Sequence, residues 1–337
     1  MKKVRICVVG AGNFARSVHG PSYNLLRSGD PDVEYAAVAD LEPEKAKSFA
    51  AMFNIPRAYG DWREMAAREK PDGICVLTGV AATSRTASEV LSEGIPVMME
   101  KPPGRNREEI LQLIEASKRG RAPAMVAFNR RYSPLLTQML RILKEECREP
   151  VEHVRCDFYR SERMDADFST TSIHGIDAIR HLAGGAYLDA QFIYQGLPRE
   201  KPTWNIFVNA DFDNGVHGVI SFIPSTGALF ERYTVTTRHW TLAAHAVIPG
   251  GGCDVPGWIE VFRQGYHLRD EAPAPTHLNR YDVYLAGYYG ENHAFIERLR
   301  NGFPAFNDLE MSLDAVELAD AIRNKRITWK KDIGLES

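Results

Sequence analysis

The run "VRICVVGAGNFA", starting at Val4, limits the fold more than any other stretch of the chain. Its first half is short, apolar and rich in β-branched residues, the pattern of a strand buried on both faces. It runs directly into Gly10, Gly12 and Ala15, spaced G-x-G-x-x-A, and then into a helical pattern. Gly10 permits a tight turn, Gly12 lets a phosphate approach the backbone, and Ala15 lets the helix pack closely on the strand. Free N–H groups and the dipole at the start of such a helix favour the pyrophosphate of a dinucleotide. Gly10, Ala11, Gly12, Asn13 and Phe14 are therefore candidate cofactor contacts. A second apolar run, "VEYAAVAD", ends in Asp40, a little beyond the ~20-residue spacing at which an acid meets the ribose hydroxyls. An acid there disfavours a 2′-phosphate, so the expected cofactor is NAD rather than NADP.

Strand and helix patterns keep alternating through "PAMVAFN", near residue 128. Repeated βα units imply a parallel sheet with helices on both faces. Beyond about residue 130 the pattern changes. One helix, "SPLLTQMLRILKEE", leads into strand-like "EHVRCDFYR" and a second helix, "SIHGIDAIRHLAG". Several apolar or alternating runs follow with no helix between them, as in an open and mainly antiparallel sheet. Helical periodicity returns in "GYYGENHAFIERLRNG" and "LEMSLDAVELADAIRN", and "RDEAPAPTHLNR" reads as a Pro-rich surface loop. At ~150 residues per domain the 337 residues suit two domains. The expected fold is α/β: an N-terminal Rossmann domain over 1–124, and a C-terminal α/β domain with an open, mainly antiparallel sheet over 125–337.

The formal charge of −3 gives no basic field to recruit nucleic acid. No apolar run approaches the ~20 residues that span a membrane, so neither a nucleic acid nor a membrane is expected as a partner. The five cysteines are an odd, widely spaced set without C-x-x-C, and Cys7 and Cys75 fall in expected buried strands. This suits reduced, inert thiols in a cytoplasmic protein.

"MMEKPPG" ends another expected strand, so Glu100 and Lys101 emerge at the carboxyl edge of the sheet, where open α/β sheets bind ligands. A partly desolvated lysine beside a nicotinamide can exchange protons with a hydroxyl. His174 starts a helix with Asp177 one turn on, an arrangement in which the acid could simply satisfy the imidazole. With His181 the two share a helix face, but histidines seven apart cannot easily reach one ion, so no metal is expected. Asn129 and Arg130, at the junction of the two patterns, are expected to face cofactor or substrate. Tyr159, Arg160 and Trp258 are further candidates, since aromatic rings stack on sugar faces although most in a sheet are core.

The glycine turn, "EKP" at the fifth major strand and "IHGIDAIRHLAG", in that order and spacing, resemble the Gfo/Idh/MocA family, named for glucose–fructose oxidoreductase and inositol dehydrogenase. "VAFNRRYSP" resembles the family's domain junction, and "FIERLRNGFPAFNDLEMSLDAVELADAI" its C-terminal helices. The resemblance implies NAD(P)-dependent oxidation or reduction at a secondary alcohol or ketone of a sugar, cyclitol or related polyol. It implies that Lys101 contacts the nicotinamide ribose and the reacting hydroxyl. His174 then accepts the proton during oxidation or donates it during reduction, at the same bound carbon. A histidine suits that task because its pKa lies near neutrality. The resemblance also implies a homo-oligomer, a dimer or tetramer, built through the open sheet. Tyr159, Thr170 and Asp177 join Lys101 and His174 as expected substrate contacts, and Thr78 joins the cofactor set.

Two features depart from the family. Many members carry Asp four residues before the histidine, where this chain has Thr170, which cannot take a proton at neutral pH. Asp165, Asp167 and Asp177 are the available substitutes. In "LTGVAATSRTA" the family's Thr-Pro and histidine are replaced: Thr78 is kept, Gly79 follows it, and Thr83 stands near the histidine position. Two other functions stay open beside the dehydrogenase. One is an NAD-retaining glycosidase or lyase that uses a transient oxidation. The other is a non-catalytic NAD-binding sensor or scaffold.

Overall fold

The computed structural model describes residues 3–332 except 166, 247, 249–256, 273–280 and 304–307. It divides into two compact units: Met1–Asn129 with Gly287–Val316, and Arg130–Ala286 with Glu317–Ser337.

The first unit starts with β1 (Val4–Val9), a π-helical turn (Ala15–His19) and α1 (Gly20–Gly29). β2 (Val33–Ala39), α2 (Pro43–Met52), β3 (Arg57–Tyr59) and α3 (Trp62–Glu69) follow. β4 (Gly73–Val76), α4 (Val80–Ser92), β5 (Val97–Met99), α5 (Arg107–Gly120) and β6 (Ala124–Val126) complete the βα series. The helices start where their caps dictate. Pro43 opens α2, the Asp61 carboxylate accepts the Arg63 N–H, and Asn106 accepts the Glu109 N–H. The six strands form one parallel sheet in the order β3-β2-β1-β4-β5-β6. Ile6, Val8, Ile74, Val97 and Met99 are fully buried in it, and each contributes about 1.5–3 kcal/mol relative to an exposed side chain.

The second unit contains α6 (Pro134–Ile142), which runs into a π turn at Leu143–Cys147, then β7 (His153–Tyr159) and α7 (Ser169–Ala183). Next come β8 (Tyr187–Leu197), β9 (Thr203–Phe212), β10 (His217–Ile223) and β11 (Phe230–Thr236). β12 (Trp240–Ala246), β13 (Trp258–Arg263), β14 (Tyr266–Glu271) and a short α8 (Tyr281–Tyr284) follow. The chain ends in α9 (Tyr288–Asn301), α10 (Asp308–Arg323) and β15 (Thr328–Lys330). The nine-stranded sheet has the order β14-β13-β12-β11-β7-β10-β9-β8-β15. It is antiparallel except where β10 runs parallel to β7. α7 packs on β7 and β10.

The architecture is the expected one, with three differences in detail. Two strands, β14 and β15, lie beyond the expected set. The first residues of the Pro-rich run, Arg269 to Glu271, are part of β14, and 273–280 lie outside the described residues. The sequence cuts the chain once, after residue 124, whereas α9 rejoins the first unit. It packs on α1 and β1, and a Cβ on Gly73 would stand 2.8 Å from the Phe295 ring and 2.9 Å from Leu299. A glycine at the start of β4 thus admits the apolar face of a helix more than 200 residues later in the chain.

Among the described residues no helix is long and apolar enough to cross a membrane. Cys7, Cys75, Cys147 and Cys156 are buried free thiols, and Cys253 lies outside the described residues. Burial pushes Cys7 and Cys75 up to about 12 and Cys147 up to about 11, so none of these three is a thiolate nucleophile near neutrality.

Candidate active site

Because the first sheet is parallel, the ends of β1, β2, β4 and β5 emerge along one edge. The strand order reverses between β1 and β4, which opens the crevice where such sheets bind ligands. Backbone bonds fix the loops there: Gly10 N–H donates to Ala39 O (2.9 Å), Leu77 N–H to Val9 O (2.7 Å), and Glu100 N–H to Val76 O (3.0 Å). Gly10 has φ +101°, and a Cβ would meet the Leu77 carbonyl oxygen at 2.6 Å, so strain and space both demand glycine. A Cβ on Gly12 would meet no protein atom within 4 Å. Its smallness serves whatever sits outside the chain, as a phosphate-binding turn requires.

Gly10, Gly12, Asp40 and Thr78 line one cleft of about 570 Å³, together with Leu41, Trp62, Arg63 and Arg85. The Asp40 carboxylate accepts the Ala11 N–H (2.8 Å) and the Glu42 N–H (2.9 Å), which ties the acid to the glycine turn. Cations on the rim have acidic neighbours: Arg63 with Glu89 at 2.8 Å and Lys45 with Glu42 at 2.5 Å. Thr78 and Thr83 come together, with hydroxyl oxygens 3.2 Å apart, and the Thr83 hydroxyl also reaches the Thr78 carbonyl. Lys101 is half-buried just past β5, and its bond to Pro102 is cis. Glu100 is buried, and its carboxylate accepts the Lys101 N–H at 3.0 Å. Asn129 is buried at the end of this unit, and Phe14 is partly exposed beside the turn. These side chains fit a dinucleotide: a cradle without Cβ atoms, a helix start, and an acid for ribose hydroxyls on one cleft.

In the second unit, α7 carries Thr170, His174 and Asp177. His174 is 8% exposed, and the Arg130 guanidinium lies 3.2 Å from its Nδ1. Arg130 therefore stands with His174 in this unit. Both Arg130 and Arg160 bind Glu231, which is 1% exposed; Arg130 Nη2 donates to Oε1 at 2.8 Å, and the Tyr233 hydroxyl donates to Oε2 at 2.5 Å. Burial pushes the Glu231 carboxyl up, but the two guanidiniums and the hydrogen bonds outweigh it and hold it near 2.

Asp177 takes the Arg131 guanidinium with both oxygens, Nε to Oδ2 at 2.9 Å. Of the other two substitutes considered for the missing aspartate, Asp167 binds Ser169 and Arg323, and Asp165 binds Thr171 and Arg163. Thr170 donates to the Asp167 carbonyl. Tyr159 stacks on Phe230 with centroids 4.6 Å apart, Trp258 on His245 at 4.4 Å, and the Arg160 guanidinium lies over Phe158. Burial, with Arg131 and Arg180 nearby, pushes His181 down to about 4, so it is neutral near pH 7. Sequence reasoning missed Glu231, His19 and Asn292. Glu231 sits in an alternating strand, where its inward phase among apolar neighbours was the one available signal.

Residues 4–128 match the family described as "Oxidoreductase family, NAD-binding Rossmann fold" (GFO_IDH_MocA). The match covers the N-terminal domain alone and likens it to the Gfo/Idh/MocA oxidoreductases. It is 29% identical over 199 residues to a trans-1,2-dihydrobenzene-1,2-diol dehydrogenase of Xenopus laevis, covering 57% of each chain. It is 29% identical over 158 residues to an inositol 2-dehydrogenase of Gluconacetobacter diazotrophicus, covering 42% of this chain and 47% of that one. The chain thus spans about half the length of these relatives. A Gfo/Idh/MocA family oxidoreductase from Vibrio cholerae shares the fold, with TM-score 0.78 at 19% identity over 96% of this chain and 97% of the other. The cofactor of the Gfo/Idh/MocA domain is NAD. Replacing Asp40 by alanine is expected to weaken NAD+ binding by about 1.5–3 kcal/mol, the contribution of a hydrogen bond to a charged group. It should also relax discrimination against NADP+. Calorimetric titration with both nucleotides checks this, and a parent protein that prefers NADP+ would refute the role of Asp40.

Proposed function

We propose that the chain is an NAD(H)-dependent dehydrogenase or reductase acting on a secondary alcohol or ketone of a polyol, sugar or cyclitol. The observation that carries the reading is the lysine at the end of β5, on the edge of the sheet that also bears the Gly10–Gly12 cradle and Asp40. The names of the relatives, a diol dehydrogenase and an inositol dehydrogenase, support the substrate class. Bound NAD+ supplies the hydride acceptor. Glycine-turn amides hold its phosphates, with Ala11, Asn13 and Phe14 alongside, and Thr78, Glu100 and Asn129 bound the crevice. The Lys101 amine binds and orients the reacting hydroxyl. His174 takes the hydroxyl proton on oxidation and returns it on reduction. Arg130, anchored by Glu231, orients His174, and Tyr159, Thr170 and Asp177 shape the substrate side. In this reading 1–124 binds nucleotide, 125–337 binds substrate, and the protein works in the cytoplasm as a homo-oligomer.

The test is a panel of polyols, sugars and cyclitols, with NAD+ and NADP+, followed by the absorbance of reduced cofactor. Turnover with net NADH supports the reading. Bond cleavage without net NADH would replace it with the NAD-retaining lyase, and NAD+ binding without any turnover would replace it with a sensor.

A further inference from the structure

Behind Glu100 and Lys101 lies a buried polar chain whose other members, His19 and Asn292, belong to none of the sequence motifs. His19 is fully buried at the end of the π turn Ala15–His19. Its Nε2 is 2.7 Å from Glu100 Oε1, and its Nδ1 is 3.1 Å from Asn292 Oδ1. The Asn292 amide N–H₂ donates to the Tyr288 carbonyl at 2.6 Å, which fixes its oxygen toward His19. Nδ1 therefore carries a hydrogen and donates. The other oxygen of Glu100 accepts the backbone N–H of Lys101 at 3.0 Å. Hydrogen bonds thus run without a gap from α9 through His19 and Glu100 to the backbone of Lys101. Phe14 of the glycine turn closes the other side, with its ring edge-on to His19 at 5.8 Å and to Tyr288 at 5.5 Å.

A π turn holds one residue more than an α turn, and such insertions recur at functional sites. Here the wide turn delivers an imidazole to the buried side of the helix start. Glu291 brings a third ligand-type group within 4.8 Å of His19 and Glu100. Nδ1 and Nε2 of His19 are already at hydrogen-bond distance from Asn292 and Glu100, and through Glu100 the chain reaches the Lys101 backbone. The arrangement suits orientation.

We propose that His19, Glu100 and Asn292 form a positioning relay that sets the backbone of Lys101, and so its amine, relative to the glycine turn. The proposal rests on the reading of Lys101 as a site residue. Its test uses His19→Gln and Glu100→Gln, with Lys101→Ala as the reference. Four quantities are measured: NAD+ affinity by calorimetry, the rate at which the Lys101 amine is acylated as mapped by mass spectrometry, and kcat and KM on the best substrate of the polyol panel. His19→Gln, which lies outside the cofactor crevice, is expected to bind NAD+ within about threefold of the parent. In both relay variants the Lys101 acylation rate should change, and kcat should fall on the order of 10²-fold, as misplacement of a reacting group does. KM should change little, and the double variant should lose no more than either single one, because both break one chain. Unchanged Lys101 reactivity and kcat in either folded variant overturns the relay. If His19→Gln does not fold, Glu100→Gln alone decides. An unchanged kcat in Lys101→Ala instead overturns the reading of the site, which keeps the two failures apart.

Discussion

Lys101→Ala is expected to lower kcat/KM by about 10²–10⁴-fold, the usual range for a positioned acid–base group. The fold should survive, because Lys101 lies in a loop past β5 and is half-buried rather than packed in the core. NAD+ affinity should fall by no more than about tenfold, the equivalent of one hydrogen bond. The loss should therefore appear mainly in kcat. His174→Asn is expected to show a similar loss with a different pH dependence, since an amide cannot titrate in place of an imidazole. The Lys101→Ala/His174→Asn double variant then asks whether the two side chains serve one step. If they do, the combined loss stays well below the product of the single losses. Steady-state rates and calorimetry on all three variants provide the check. A Lys101→Ala protein with parental kcat/KM would remove the lysine from the mechanism.

The parts of the site that could be read from the sequence are those encoded by neighbours along the chain. Gly10, Gly12 and Ala15 declare a turn because each has a local steric reason to be small, and Asp40 follows because βα units have a narrow range of lengths. The helix start at Asp61 is encoded as locally, since a cap acts over three residues. The unread parts depend on distant partners. Glu231 meets Arg130 and Arg160 across 101 and 71 residues, and His19 meets Asn292 across 273. No spacing rule reaches that far. The missed strands had weak patterns for a physical reason. β14 is a largely exposed, charged edge, where burial imposes no apolar alternation, and β15 has only three residues. α9 had a clear helical pattern, but a pattern does not say which sheet its apolar stripe will cover.

The largest stability effect is expected at Glu231, where shape and charge can be separated. Glu231→Gln keeps the side-chain volume and removes the carboxylate shared by Arg130 and Arg160. Breaking a buried ion network from one side costs about 3–5 kcal/mol, because the remaining charge stays desolvated. Urea unfolding at neutral pH measures the loss. The pH dependence has a definite sign. The folded carboxyl is held near 2, below the ordinary 4.5, so its contribution is complete above pH 4.5 and is lost as pH falls toward 2. The parent should weaken across that window, while Glu231→Gln should lack this part of the acid limb. Replacing the network as a whole, Arg130→Met with Arg160→Met and Glu231→Leu, should recover much of the stability, since apolar residues of similar size often substitute for buried ion pairs without loss. Turnover should not return with it, because the triple variant has no guanidinium to hold the ring of His174. A triple variant that regains both stability and turnover would show that Arg130 and Glu231 serve the fold alone. A Glu231→Gln protein as stable as the parent would show that the two arginines find compensation elsewhere.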